Sequence, residues 1–192
     1  FKALYANTGN DNTAVGHQAL QANTSGASNT AVGRDSLKAN TTASNNTACG
    51  AFALEVSTTA ANNTAVGQQA LGNNTTYNDN TAVGYHALLN TTASNNTAVG
   101  KSALDANTTG GSNTAAGVDA LGANTTANDN TAFGHHALYA NTTGTANTAV
   151  GKSNQSTNTT GSYNTSVGRS SLNACTTGGS NTSMGYANLN GV

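Results

Sequence analysis

The side chains that could carry out chemistry are few and lie far apart in the sequence. Four histidines occur, of which His135 and His136 are adjacent, whereas His17 and His86 lie at least 49 residues away in the sequence. Adjacent side chains tend to point apart, and no cysteine or carboxylate cluster completes a tetrahedral ligand set beside the pair. We therefore predict no metal site and interpret the histidines as solvated surface residues.

The two cysteines, Cys49 and Cys175, are the next candidates for chemistry. Seven copies of a 17-residue sequence repeat separate them. If each copy adds one strand to a stack, the two cysteines lie about 33 Å apart, which is beyond the reach of a disulfide bond. Cys49 takes the place of a valine in its repeat and is predicted to be a small core residue. Cys175 takes the place of an asparagine, and a cross-link between chains is an alternative for it.

The carboxylates offer no catalytic arrangement. The Asn-Asp-Asn triplets at 10–12, 78–80 and 128–130 occur once each in distant repeats, which favours turns over calcium ligation. No Ser-His-acid set lies at a readable spacing, and no phosphate-binding loop opens a helix. We assign no catalytic and no cofactor-binding residue, and the sequence predicts a protein that is not an enzyme.

Composition argues against two further classes of function. The chain of 192 residues contains 31 Asn and 33 Thr, whereas charged residues make up 7% and the net charge is −1. A basic surface for nucleic acid or anionic lipid needs more charge than this, and no run of about 18 apolar residues could span a bilayer. We predict neither nucleic-acid binding nor membrane insertion. The chain begins at Phe1 rather than Met, so we expect a processed product or a segment of a longer protein.

A tandem repeat dominates the sequence. The pentad Asn-Thr-Ala-Val-Gly, exact or with substitutions at its third or fourth residue, occurs eleven times at a step of 17 residues, except for one unit of 16 residues at 80–95. We number repeat positions 1–17 from the Asn of this pentad, so that one unit reads N-T-A-V-G-x-x-A-L-x-A-N-T-T-G-x-S. Repeats cover 12–180, after a partial lead-in unit at 1–11 and before a truncated unit at 181–192. The chain is therefore interpreted as one repeat domain, 1–192.

Charged and imidazole side chains are confined to a few positions of this repeat. All 13 charged residues lie at positions 6, 7, 10 or 17, counting Lys2 by extension, and all four histidines lie at positions 6 and 7. A disordered chain has no reason to place its charges so regularly. The sequence therefore predicts a folded repeat in which positions 6 and 7 form an exposed corner.

The length of the unit predicts the fold class. Seventeen residues are too few for a pair of packed helices, and Gly with β-branched Thr favours one coil of a β-solenoid. Alternation along a strand places Thr at position 2 and Val at position 4 on one face, with Asn and Ala on the other. We predict that Val at position 4 and Leu at position 9 point inward and that Gly at position 5 makes a turn with positive φ. The expected fold is all-β, a parallel β-solenoid of about eleven coils and roughly 50 Å.

A core this thin also predicts association between chains. One Val and one Leu per coil bury little apolar surface for 17 ordered residues, and stacked Asn and Thr ladders offset part of the deficit. We therefore expect an oligomer, either a side-by-side trimer or an end-to-end filament that pairs open strand edges.

The repeat resembles known arrays. Segments such as Thr13-Ala14-Val15-Gly16 and Thr97-Ala98-Val99-Gly100 are similar to the head repeats of trimeric autotransporter adhesins, which form a left-handed parallel β-roll. The whole unit also resembles the Asn-Thr-Ala-x-Gly-x-x-Ala-Leu arrays of phage tail fibres and bacterial surface proteins. The resemblance implies a shaft or adhesive surface outside the cell, at a cell surface or in a virion fibre, rather than an enzyme.

Two functional hypotheses follow. The first is a structural extracellular fibre segment that associates with itself and contacts a glycan or another cell-surface receptor. The alternative is an ice-binding solenoid, in which Asn at position 12 and Thr at position 14 form outward ranks, because adjacent threonines such as Thr41 and Thr42 should point to opposite faces. Six scattered tyrosines could contact glycans but are interpreted as plain surface residues; they are Tyr5, Tyr77, Tyr85, Tyr139, Tyr163 and Tyr186.

Overall fold

The computed structural model describes residues 2–189, so that Phe1 of the lead-in unit and residues 190–192 of the last unit lie outside the described residues. The fold is all-β, with no helix in this range. Eleven short strands form one parallel sheet in chain order, each paired with the next. The predicted fold class, a parallel β-solenoid with a 17-residue step, is confirmed.

Each strand occupies positions 2–4 of one unit. The strands are β1 (Thr13–Val15), β2 (Thr30–Val32), β3 (Thr47–Cys49), β4 (Thr64–Val66), β5 (Thr81–Val83), β6 (Thr97–Val99), β7 (Thr114–Ala116), β8 (Thr131–Phe133), β9 (Thr148–Val150), β10 (Thr165–Val167) and β11 (Thr182–Met184). Neighbouring strands pair in register, so that Thr at position 2 always stands beside Thr at position 2 of the next coil.

The 16-residue unit leaves the sheet undisturbed. Thr81 pairs with Thr97 across the short coil, in the same register as elsewhere. The shortening falls at the corner near position 14, because buried Thr91 takes the place of the position-12 Asn. The next residue, Thr92, donates its hydroxyl to a carbonyl one coil on at 2.9 Å, as position-13 threonines do in other coils. A deletion at this corner is therefore absorbed locally.

Turn geometry depends on residues with positive φ. Gly at position 5 has φ between 116° and 144° in all eleven units. A Cβ on Gly100 would lie 2.5 Å from the carbonyl oxygen of Gly117, so both the backbone conformation and the space require glycine. The prediction of a positive-φ glycine turn is confirmed.

Three further positions adopt the left-handed conformation without glycine. Positions 7, 9 and 17 have φ between 48° and 65° in the described units. None of these positions holds Thr or Val, although the chain contains 33 Thr. Branching at Cβ makes this conformation costly, which explains the exclusion. Position 17 is rich in Asn, Asp and Ser, so the turn interpretation of the Asn-Asp-Asn triplets is confirmed at Asp11, Asp79 and Asp129.

The apolar core consists of Ala at positions 3 and 8 and Leu at position 9, all fully buried in most coils. The prediction of an inward Leu is confirmed, but the prediction of an inward Val at position 4 is wrong. Alternation along the strand turns Ala inward, and Thr and Val therefore point outward together. Cys49 occupies this outward position and is exposed, so its assignment to the core is also wrong.

Asparagines at positions 1 and 12 complete the interior. At position 1, the side-chain oxygen accepts the backbone N–H of the Asn one coil on; Asn130 N donates to Asn113 Oδ1 at 3.0 Å. The amide nitrogen of Asn113 donates to the Ala127 carbonyl of its own coil at 2.8 Å. At position 12, Asn124 Nδ2 donates to Asn107 Oδ1 at 2.9 Å. These ladders satisfy buried polar groups that would otherwise be costly.

Candidate interaction surfaces

The outward side chains at positions 2 and 4 of β1–β11 form a regular surface, which we call the sheet face. One rank consists of threonines; the other consists mainly of valines, with Cys49, Ala116, Phe133 and Met184 as substitutions. Seven large apolar side chains of this second rank are 36–71% exposed; they are Val15, Val32, Val66, Val99, Phe133, Val167 and Met184. No charged residue occurs at either position in any unit. The sheet face is therefore an uncharged strip of hydroxyl and apolar groups.

A second surface combines aromatic, imidazole and carboxylate groups at positions 6, 7 and 10, and we call it the aromatic strip. At position 7, the left-handed backbone directs side chains along the solenoid axis toward the preceding coils. His86 Nε2 lies 2.7 Å from Gln69 Oε1, and His136 Nε2 lies 3.3 Å from Asp119 Oδ2. The members of the strip are Gln69, Tyr85, His86, Asp105, Asp119, His135, His136 and Tyr139.

Ring stacking distinguishes this strip. The rings of Tyr85 and His86 stack with centroids 3.8 Å apart, and those of His135 and His136 stack at 3.9 Å. The ring of Tyr139 stacks on His136 at 4.9 Å. The expectation that His135 and His136 point apart is wrong, because the left-handed residue at position 7 brings its ring beside that of position 6.

Two further features of the strip concern the pKa of Asp105 and the space beside the ring of Tyr139. Burial raises the pKa of Asp105 above its ordinary value, the neighbouring Asp119 raises it further, and His86 acts in the opposite direction. Position 10 of the following coil is Gly122, where a Cβ would lie 3.1 Å from the Tyr139 ring. The missing side chain therefore leaves room for that ring.

A buried polar cluster interrupts the apolar core near the carboxyl end of the rod. Gln155 replaces Leu at position 9, and its Nε2 donates to Ser166 Oγ at 2.8 Å and to the Thr148 carbonyl at 3.0 Å. The Ser166 hydroxyl donates to Asn154 Oδ1, while Gln155 Oε1 is buried without a partner. We call this cluster the polar core segment; it consists of Asn154, Gln155, Ser166, Ser171 and Ser183.

Other candidate residues make local contacts. Buried Asp35 pairs with Arg34 at 3.1 Å and with Lys38 at 3.5 Å. Both cysteines are free thiols, and Cys175 is buried, where its sulfur donates to the Gly178 carbonyl. Within residues 2–189, no group of three or more His, Cys, Asp or Glu could hold a metal ion. The same range contains no helix long and apolar enough to cross a bilayer.

The proposed Asn-x-Thr ice face does not form. Within the repeats at 12–180, Asn at position 12 is buried in every unit that carries it, so it cannot stand beside an outward threonine. The expectation that adjacent threonines point to opposite faces is also wrong, because Thr108 and Thr109 are both exposed.

Comparison with known proteins gives no relative: no protein-family model, no curated protein and no solved structure matches this chain. The fold and the surfaces described above therefore carry the functional argument.

Proposed function

We propose that this chain is a segment of an extracellular structural fibre, such as an adhesin or tail-fibre shaft, whose copies associate through the sheet face. The observation that carries the proposal is the uncharged rank at position 4, which runs along all eleven strands and exposes large apolar side chains on seven of them. Exposed apolar patches of several hundred Å² on soluble proteins commonly mark interaction sites.

The dimensions of the face fit a second copy of the chain. Eleven strands at about 4.8 Å and two side-chain ranks give roughly 500 Å² per copy. Two such faces in contact bury about 1,000 Å², which is near the lower limit for a specific interface.

The chemistry of the face also favours self-association over a charged partner. Every strand presents Thr at position 2, and seven of the eleven present Val at position 4, so that parallel copies match at most levels. Bulky Phe133 follows small Ala116 in the position-4 rank, and a ring at one level can extend over the small residue at the neighbouring level. The extracellular setting rests on the resemblance to surface and tail-fibre arrays.

The test introduces charge into the sheet face and, as a control, elsewhere. Val66 and Val99 in the face are 36% and 42% exposed, whereas Val56 and Val118 outside it are 37% and 39% exposed. Sedimentation velocity should show an oligomer for the natural chain and for Val56→Lys/Val118→Lys. It should show an 18.9 kDa monomer for Val66→Lys/Val99→Lys. A monomeric natural chain at high concentration, or an oligomer unaffected by both pairs, would contradict the proposal.

One observation favours ice binding as a second candidate. The sheet face presents two outward ranks, Thr and Val, from each strand at a regular spacing of about 4.8 Å, without any charge. This candidate requires a free face, so it expects a monomer that shows thermal hysteresis, which Val66→Lys/Val99→Lys abolishes. An oligomer without hysteresis would leave the fibre proposal alone.

A further inference from the structure

We propose that the aromatic strip binds a neutral oligosaccharide. The strip lies at repeat positions 6, 7 and 10, whereas the sheet face lies at positions 2 and 4. The inference rests on the proposed extracellular role for its biological setting, because it names a glycan partner for that fibre. Binding itself does not require self-association, so the two proposals can fail separately.

Aromatic rings provide the first half of the recognition chemistry. All three ring stacks found within residues 2–189 belong to this strip. Tyr85 and Tyr139 each remain 44% exposed although they are stacked. A stacked ring is held in one orientation, so it loses little conformational entropy when a flat ligand packs on it. Sugar rings present a flat C–H face of this kind, and tyrosine combines an apolar face with a polar hydroxyl.

Hydrogen-bonding groups beside the rings provide the second half. Gln69 Oε1 and the Asp119 carboxylate accept hydrogen bonds from the Nε2 atoms of His86 and His136. The second ring nitrogen of each histidine, Nδ1, is a further polar group that can bond a ligand hydroxyl. The carboxylates of Asp105 and Asp119 add further acceptors between the two stacks. Many acceptors beside apolar faces suit a ligand that carries many hydroxyl groups.

Spacing and charge narrow the ligand class. The two ring stacks lie in the units that begin at Asn80 and Asn130, three coil steps apart, or about 14 Å along the axis. That length suits a short oligosaccharide lying along the rod. Between the stacks, the strip carries two carboxylates, Asp105 and Asp119, and one lysine, Lys101 at position 6. The excess of negative charge disfavours an anionic polysaccharide.

The experiment uses defined oligosaccharides and two matched pairs of tyrosines. Cellohexaose, chitohexaose and maltohexaose are titrated into the natural chain by isothermal calorimetry, with a hyaluronan hexasaccharide as the anionic probe. We expect at least one neutral hexasaccharide to bind and Tyr85→Ala/Tyr139→Ala to weaken it tenfold or more. The control pair, Tyr77→Ala/Tyr163→Ala, removes two rings at repeat positions 15 and 17, outside the strip, and should change nothing.

Three results would overturn the inference. They are no binding of any neutral probe at millimolar concentration, equal losses in the two tyrosine pairs, and tighter binding of the hyaluronan probe. Repeating the titration with the Val66→Lys/Val99→Lys chain separates the two proposals, since the sugar should still bind when the sheet face is disrupted. Circular dichroism of each variant establishes that the solenoid remains folded.

Discussion

The interior of the rod differs between its middle and its carboxyl-terminal coils, yet the backbone does not. In the unit that begins at Asn113, the inward residues at positions 3, 8 and 9 are Ala115, Ala120 and Leu121. In the unit that begins at Asn147, positions 8 and 9 are Asn154 and Gln155. The strands of both regions pair in the same parallel register.

This difference distinguishes the residues that determine the backbone of the coil from the side chains that fill its interior. Gln155 has φ 48°, within the range of the leucines at the same position, and its amide is held by two hydrogen bonds. The position-5 glycine and the position-1 Asn ladder continue unchanged through both regions. The coil is therefore set by its turns and polar ladders, whereas its interior accepts polar as well as apolar side chains at positions 8 and 9.

The largest expected effect is common to both regions. Gly100→Ala and Gly151→Ala place a Cβ about 2.5 Å from a carbonyl of the next coil, at φ 136° and 129°. Strain and overpacking together should cost about 3 kcal/mol or more in each region, as measured by urea unfolding. Gly111→Ala is the control, because its nearest neighbour would be 3.4 Å away. A mild effect at Gly151 alone would show that the coil is determined differently in the polar region.

A smaller loss of stability is expected to differ between the apolar middle coils and the polar carboxyl-terminal coils. Leu104→Ala empties a fully buried site in the apolar core and should lower the free energy of unfolding by about 2–5 kcal/mol. Gln155→Ala removes a side chain with one unpaired buried oxygen, so its net loss should be near 1 kcal/mol. Chemical denaturation of both variants measures the contrast. Equal losses would mean that the two interiors contribute alike.

The same contrast can be reversed by making the polar interior apolar. Asn154→Ala/Gln155→Leu/Ser166→Ala gives these three positions of the polar core segment the inward residues of the middle coils and leaves the hydrogen-bonded pair Ser171 and Ser183 in place. Since apolar side chains at these three positions avoid the desolvation of buried polar groups, the free energy of unfolding should rise by about 1–3 kcal/mol. Amide hydrogen exchange should slow in β9–β11 and remain unchanged in β3–β5. A destabilised triple variant would show that the polar cluster is a net stabilising feature.

The smallest expected effect concerns Asp105 and depends on pH. Its raised pKa means that folding favours the protonated carboxyl, so its contribution is stabilising at acidic pH and is lost as pH rises through the folded-state pKa. At pH 7, Asp105→Asn should therefore raise the free energy of unfolding by a few tenths of a kcal/mol after solvent screening. At about pH 3 the variant should match the natural chain. Exposed Asp129 provides the control substitution, Asp129→Asn, and a benefit of Asp105→Asn at both pH values would contradict the electrostatic cause.

Much of this architecture was predictable from the sequence because the 17-residue repeat places equivalent residues at the same position of every coil. The coil length, the glycine turn and the inward Leu follow from regular spacing. The orientation of the strand was missed because apolar character favoured Val over Ala as the inward residue. A better signal was present: position 3 is Ala or Ser in every unit, whereas position 4 ranges from Ala116 to Phe133 in volume. A narrow bore demands constant small residues, and a surface tolerates variation.

The aromatic strip was harder to predict. The sequence places the histidines at positions 6 and 7, but stacking of His135 on His136 depends on the left-handed backbone at position 7. The absence of Thr and Val from positions 7, 9 and 17 was the available signal for that backbone. The approach of Asp105, Asp119 and His86 requires the stacking of successive coils, which single-unit reasoning does not supply.

The most direct test of the sheet-face proposal is the reactivity of Cys49. Its thiol is exposed in the position-4 rank, while buried Cys175 serves as an internal reference in the same chain. A thiol reagent should modify Cys49 slowly in the oligomer and rapidly in the Val66→Lys/Val99→Lys monomer. If the sheet face joins the copies, protection of Cys49 should increase with protein concentration together with the sedimenting mass. An oligomer in which Cys49 reacts as fast as in the monomer would contradict the account, because its copies would then be joined elsewhere.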